Sequence, residues 1–179
     1  MIMAIRLSDD ILEFIGRPNT YGFLSAARAF VALLESNAID KNVFFKESHT
    51  KLLGLYFAAF KLDTVELKYS SAETTFESIF VSKNVGMIAE LGKDEYYWET
   101  SEYKYIENGE VTEGTTSQGM LSDDFNDIYM DLKRALFQID ELRTDESTEN
   151  GLWQLKWGFA NHWGVHCISA LKYLHHLNY

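Results

Sequence analysis

Apolar side chains recur at helical spacing along most of this chain, and most densely between Glu149 and Leu177. At about 100° per residue they form two adjacent apolar stripes that cover more than half of the helix circumference. The first stripe contains Leu152, Phe159, Trp163, Cys167, Ala170, Leu174 and Leu177, and the second contains Trp153, Trp157, Ala160, Ile168 and Leu171. The pattern predicts one long helix that neighbouring helices cover on at least two sides.

Two glycines, Gly158 and Gly164, lie inside this predicted helix. Each glycine in a helix interior costs about 1 kcal/mol of helix stability relative to alanine. Either the close approach of another backbone or a local irregularity in the helix would account for them.

Five further segments have the periodicity or the capping signals of a helix. They are Asp9 to Ile15, Tyr21 to Glu35, Asp40 to about Leu62, Thr75 to Leu91, and Ser122 or Asp123 to about Leu142. The sequence has neither an internal repeat nor a visible domain boundary. We therefore expect one helical domain over residues 1–179, an all-α bundle of four to six helices.

A small β-hairpin around residues 95–112 is the expected exception to this helical architecture. The tyrosine-rich stretch from Asp94 to Ile106 lacks a helical period, and Asn108-Gly109 is the strongest turn signal in the chain. The acidic segment 105–119 continues beyond that turn. Its second part, from Glu110 to Gly119, is rich in glycine, threonine and serine, and we expect it to be a mobile loop.

Negative charge is concentrated in one segment. The net charge of the chain is −11, whereas residues 90–149 alone carry 17 acidic and 5 basic residues, a balance of −12. Such a surface repels phosphate groups, so nucleic acid and anionic membranes are not expected as partners. A basic protein or a cation is compatible with it, and so is a purely solubilising role.

Composition limits the remaining function classes. A single cysteine excludes a disulfide framework, and a single proline excludes a proline-rich linker architecture. Cys167 falls on an apolar stripe, so we expect a buried, unreactive thiol. The first ten residues do not resemble a signal peptide, and the longest apolar run, Leu52 to Phe60, is too short to span a bilayer. We expect a soluble cytoplasmic protein.

His162 and His166 are spaced by one helical turn, as are Asp127 and Asp131 in the preceding helix. Facing each other in a bundle, the two pairs would resemble the ligands of a carboxylate-bridged metal site. The angular positions argue against this, since Asp127 lies opposite the apolar stripe of its helix and Asp131 lies to one side. Neither Glu-x-x-His nor His-Glu-x-x-His occurs. The sequence thus predicts no metal ligand, catalytic residue or cofactor.

Aromatic side chains cluster within acidic surroundings between Tyr96 and Tyr105. Tyrosine and tryptophan near acidic groups are typical of interface anchors, but they also suit a short strand laid over the bundle, which we favour. The candidates for an interaction surface are Tyr97, Trp98, Asp123, Asp124, Asp127 and Asp131.

Two segments in the C-terminal third of the chain are distinctive. They are Asp-Ile-Tyr-Met-Asp-Leu-Lys at 127–133, and the helix containing Leu152-Trp153, Phe159, Trp163-Gly164, Ala170-Leu171 and Leu174-His175. In these segments the chain resembles a family of small bacterial proteins classed as a domain of unknown function. The resemblance implies an all-helical, cytoplasmic, bacterial protein. It carries no known activity.

Three hypotheses for function follow from these patterns. The leading one is a non-catalytic module that presents an acidic face to a basic protein, for example as a toxin antagonist, since the chain contains no catalytic motif. The second is a metal-dependent enzyme that uses Asp127, Asp131, His162 and His166. The third is a bundle that binds a small apolar ligand between Tyr129, Trp157 and Trp163.

Overall fold

The computed structural model describes residues 7–37, 39–76, 79, 81–100, 106–107, 110–111 and 116–179. Six α-helices make up most of these residues. They are α1 (Asp9–Gly16), α2 (Pro18–Leu34), α3 (Lys41–Lys61), α4 (Leu121–Phe137), α5 (Asp145–Asn161) and α6 (Trp163–Asn178). The predicted all-α bundle of four to six helices with a small β excursion is confirmed. No helix in the described residues is both long enough and apolar enough to cross a membrane.

Local sequence signals account for several helix starts. The Asp40 side chain accepts hydrogen bonds from the backbone N–H groups of Asn42 and Val43, at 2.9 and 3.1 Å, and so caps α3 as predicted. Thr144 and Ser147 exchange reciprocal bonds that cap α5. Pro18, which lacks a backbone N–H, occupies the first turn of α2.

The core is built around fully buried aromatic rings from four helices. Phe125 of α4 meets Phe30 of α2 and Phe44 of α3 edge to face, each at a centroid distance of 6.0 Å. Trp163 of α6 stacks on Phe23 of α2 at 6.2 Å and donates its indole N–H to the carbonyl of Leu155. The first predicted stripe therefore reaches the core along most of its length, since Leu152, Trp163, Cys167, Ala170 and Leu174 are all buried.

The prediction of one continuous C-terminal helix is wrong. The segment divides at His162, whose backbone leaves the helical region with φ −145° and ψ −89°. A Cβ atom on Gly164 would lie 2.0 Å from the carbonyl oxygen of Phe159, so only glycine permits this junction. Gly158 likewise leaves room for the ring of Trp163. Both glycines thus serve the break between α5 and α6.

The second predicted stripe is also wrong as a buried face. Trp157 is 53% exposed and Ile168 is 54% exposed, whereas Trp163, Cys167, Ala170 and Leu174 are buried. The prediction of this stripe assumes one continuous helix axis, which the break at His162 interrupts. On α3, Leu53 and Phe60 are likewise exposed, although Leu52 and Phe45 are buried there.

The predicted helix from Thr75 to Leu91 is absent from the described residues of that range, which exclude 77, 78 and 80. Its only helical turn is a 3-10 turn, Gly86–Glu90, and a second such turn follows at Gly92–Glu95. Asn84 and Gly86 have positive φ angles of 54° and 47°, which an α-helix does not accommodate. Gly86 also packs against the carbonyl groups at the end of α2. Met87, Ile88 and Leu91 are nevertheless buried.

The β excursion consists of two small antiparallel ladders. Strand β1 (Tyr96–Thr100) pairs with β4 (Thr116–Met120), and β2 (Ile106–Glu107) pairs with β3 (Glu110–Val111). The predicted mobile loop from Glu110 to Gly119 is therefore wrong at 110–111 and 116–119, which are in strands. Residues 112–115 and the predicted turn Asn108-Gly109 lie outside the described residues.

The connection after α3 is fixed to the bundle by one buried carboxylate. Glu149 of α5 accepts hydrogen bonds from the backbone N–H groups of Lys68, Tyr69 and Ser70, at 2.7–2.9 Å, and from the Ser70 hydroxyl. Its side chain is fully enclosed. Three successive amides thus compensate the burial of one negative charge.

We expect Gly164→Ala to lower the free energy of unfolding by about 2 kcal/mol, because the added methyl group would overlap the Phe159 carbonyl. Urea denaturation at neutral pH measures the effect. Gly22→Ala is the matched control, since a Cβ there meets nothing within 4 Å. That variant should gain about 0.5–1 kcal/mol. Equal effects of the two substitutions would contradict the steric account of the junction.

Candidate metal-binding site

Three aspartates line one flank of α4. Asp124, Asp127 and Asp131 are spaced by three and then four residues, which repeats the helical turn. His166, in the first turn of α6, lies between the first two of them. Its Nδ1 is 2.8 Å from Oδ1 of Asp124, and its Nε2 is 3.2 Å from Oδ2 of Asp127. Both nitrogens of one imidazole therefore face carboxylates.

The helix break brings a second histidine to the same place. His162, at the junction of α5 and α6, has its Nδ1 2.8 Å from Oδ2 of Asp131. Its ring lies 5.1 Å from the ring of His166, centroid to centroid. The two i, i+4 pairs noted in the sequence thus face each other across the interface between α4 and α6.

Three of these side chains have the arrangement of metal ligands. Asp127, His162 and His166 each place one ligand atom within 4.8 Å of the other two. Ligands of a tetrahedral zinc ion, at about 2.0–2.1 Å from the metal, lie about 3.4 Å apart. The 3.2 Å between His166 and Asp127 is close to that separation. Small side-chain rotations would therefore place all three around one ion.

The remaining two aspartates hold the imidazole rings in position. Asp131 and Asp124 each contact the Nδ1 of one histidine, which leaves the Nε2 of each ring available to ligate a metal. In metal sites a carboxylate on the far nitrogen commonly fixes the tautomer and the orientation of the ligating histidine. This support is present here on both rings.

A further layer fixes Asp124. The Tyr97 hydroxyl donates to Oδ2 of Asp124 at 2.5 Å, and the Tyr97 ring stacks on Tyr173 at 4.8 Å. Gly119 lies against this ring, where any Cβ would be 2.3 Å from it. Burial and the bond to Asp124 raise the pKa of Tyr97, so the phenol remains a donor. Strand β1 thereby stabilises the flank of α4 that carries the three aspartates.

Electrostatics at the cluster favour a positive charge. The hydrogen bond to Asp124 raises the pKa of His166, partial burial opposes this rise, and the charges of Asp127 and Asp123 add to the rise. Without a metal, a proton on His166 would supply that charge. A divalent cation bound at Nε2 would supply it instead.

The cluster is accessible from solvent. The His162 side chain is 46% exposed, whereas His166 is 25% and Asp127 is 18% exposed. An ion held by three protein ligands at this surface would keep at least one coordination position for water or substrate, as catalytic zinc sites do.

Comparison with protein families identifies this chain over most of its length. The model of the family described as a domain of unknown function (DUF5063) matches residues 15–179. The chain belongs to the DUF5063 family. The predicted resemblance to a family of unknown function is confirmed. A comparison with curated proteins gives no match.

The fold of this DUF5063 chain is similar to that of a solved structure. It is the crystal structure of protein BF1032 from Bacteroides fragilis, with a TM-score of 0.72 and 21% sequence identity. The similarity covers 93% of this chain and 96% of that one. At this identity the likeness concerns the architecture alone.

The structure places the sequence-derived candidates in two different environments. Asp124 and Tyr97 are buried and bonded to each other, whereas Asp123 and Trp98 are exposed. The angular argument that the pair Asp127 and Asp131 does not face the two histidines is wrong, since both aspartates contact histidines. Asp127 and Asp131 do lie away from the apolar stripe of α4. The start of α6 packs along that flank of α4, however, and brings the histidines to them.

Sequence reasoning missed Asp124 as the partner of His166. The signal was present, because Asp124, Asp127 and Asp131 follow the i, i+3, i+7 pattern of a single helix flank. The predicted ligand pocket between Tyr129, Trp157 and Trp163 is not formed. Trp163 and Tyr129 are buried, and the Tyr129 hydroxyl donates to Glu35. Trp157 lies at the surface, stacked on Trp153.

Asp124→Asn should change the pH dependence of stability in metal-free protein. A raised histidine pKa stabilises the fold below the unfolded value of 6.5, and this contribution is lost as pH rises through the folded pKa. The unfolding free energy of the wild type should therefore fall from pH 6 to pH 8 more steeply than that of the variant. NMR titration should show the His166 pKa moving down in the variant. An unaltered His166 titration would contradict the assignment.

Proposed function

We propose that this protein binds a divalent transition metal ion through Asp127, His162 and His166, in the manner of a metal-dependent enzyme. The supporting observation is that one ligand atom from each residue lies within 4.8 Å of the others, in a region open to solvent. Imidazole nitrogens favour zinc, iron, nickel and copper over magnesium or calcium. Zn²⁺ is the ion that we assign to the site.

The chemistry of such a site is Lewis-acid activation. Two histidines and one carboxylate form a ligand set shared by zinc hydrolases and non-haem iron enzymes. Zinc bound with an open position lowers the pKa of a coordinated water to about 7. In this protein Asp124 and Asp131 orient the imidazoles, and Asp127 supplies the negative ligand. A hydrolytic reaction is the activity class that this donor set favours.

Titration of untagged, metal-free protein with ZnCl₂ in a calorimeter tests the proposal. We expect one site per chain. His162→Ala and His166→Ala should weaken binding by at least tenfold, because each removes a ligand. Asp131→Asn should weaken it by about 10–100-fold, which is the usual effect of losing the group that orients a histidine ligand. Mg²⁺ should give no comparable heat.

A second histidine pair provides the matched control. His49 and His175 lie 5.8 Å apart, and neither forms an ion pair with a carboxylate in the described residues. His175→Ala should therefore bind zinc as the wild type does. Zinc binding that survives both His162→Ala and His166→Ala, or that His175→Ala reduces equally, would contradict the proposed site.

Binding of a basic protein is a second candidate function. Trp98 is 73% exposed and Tyr96 is 48% exposed. Because side chains alternate between the two faces of a strand, both residues lie on the face of β1 opposite to Tyr97. They belong to the segment that carries the −12 charge balance. Asp123 is exposed as well and follows Met120, the β4 partner of Tyr96, by three residues. Exposed aromatic anchors surrounded by acidic groups would suit a basic partner such as a toxin.

Affinity capture from a lysate of the native host at physiological salt tests this second function. We expect a stoichiometric basic protein to be retained by the wild type and lost with Trp98→Ala, since the variant removes the exposed anchor. Trp157→Ala is the control, because it removes a tryptophan from α5 that is also more than half exposed. Retention of the same protein by Trp98→Ala, or failure to retain any, would argue against the interaction.

A further inference from the structure

A cavity of about 530 Å³ opens between α4 and α5 beside the histidine cluster. Its walls include Asp131, Arg134, Trp153, Trp157, Gly158 and His162. The volume lies within the range of about 300–1,000 Å³ typical of small-molecule sites. Neither the proposed metal site nor the aromatic face of β1 accounts for its aromatic and cationic walls.

Two stacked indoles provide an apolar wall. Trp153 and Trp157 are one helical turn apart on α5, and their rings lie 6.0 Å apart at an interplanar angle of 20°. Trp153 is partly exposed and Trp157 is more than half exposed. Exposed indole rings that line a cavity favour a flat apolar or aromatic ligand that can stack against them.

Arg134 provides the polar group. Its exposed guanidinium forms no ion pair or hydrogen bond with the described residues, although the chain carries a charge of −11. Arg28, by contrast, binds Asp140 through two bonds of 2.6 and 3.0 Å. Asp131, the acidic residue of the cavity, is engaged by His162 at 2.8 Å. Arg134 therefore carries the charge in this cavity that is available to pair with a ligand.

We propose that the cavity binds a small aromatic carboxylate, with the ring against Trp153 and Trp157 and the carboxylate on Arg134. The planar fork of a guanidinium matches a carboxylate with two parallel hydrogen bonds. A single arginine suits a single negative charge, whereas a doubly charged phosphate ester would face Asp131 and the acidic surface. The ligand would lie against His162, next to the proposed metal, but its binding does not require a metal.

Binding of 1-naphthoate to the full chain, followed by NMR, tests the proposal. The indole N–H signals of Trp153 and Trp157 should shift, while those of Trp98 and the core residue Trp163 should not. Samples contain EDTA, so that failure of the zinc experiment leaves this result unaffected. 1-Naphthalenemethanol and 1-naphthylmethylammonium are the neutral and cationic probes. We expect 1-naphthoate to bind at least tenfold more tightly than either.

Variants separate the two parts of the site. Arg134→Gln should abolish the tenfold preference for the carboxylate but retain binding of the neutral probe, whereas Trp157→Ala should weaken all three probes. Lys46→Gln makes the same change in net charge at an exposed position outside the cavity and should behave as the wild type. His166→Ala should also retain 1-naphthoate binding.

Three outcomes would overturn the assignment. They are tighter binding of the cationic probe than of 1-naphthoate, an unchanged preference in Arg134→Gln, and signal shifts centred on Trp98.

Discussion

The contact between Gly164 and the Phe159 carbonyl is the constraint on which the C-terminal half depends. Because the backbone of α6 passes so close to the end of α5, one apolar segment becomes two helices with different directions. The first turn of α6 then carries Trp163 into the core and His166 along the acidic flank of α4. The burial of Trp163 and the placement of His166 beside the aspartates of α4 thus both follow from one junction.

Local periodicity was sufficient to predict most of the helices and the buried stripe of α6. It failed where structure depends on a relation between distant residues. The junction at His162 depends on a single backbone approach, and the irregular path near Gly86 depends on the carbonyl groups that end α2. An apolar pattern contains neither relation. The helix predicted from Thr75 to Leu91 was therefore wrong, even though its apolar residues Met87, Ile88 and Leu91 are buried.

The candidate site was half predictable for the same reason. Spacing identified the pairs Asp127 with Asp131 and His162 with His166, but an angle on one helix cannot show which neighbour lies alongside. Asp124 could have been recognised from its place on the same flank. Tyr97 could not, because its role depends on a strand that closes over α4 and on Gly119 opposite its ring. Such support connects segments far apart in the chain, so local spacing gives no sign of it.

Glu149 has a consequence for how this fold can vary between relatives. It holds the connection after α3 through the main-chain amides of residues 68–70, which every amino acid except proline possesses. The main-chain path of that connection therefore depends on Glu149 more than on the side chains at positions 68 and 69, whose own polar contacts are to the exposed Asp10. Relatives can differ at these two positions and keep the same path, provided that the acidic group beneath them is kept.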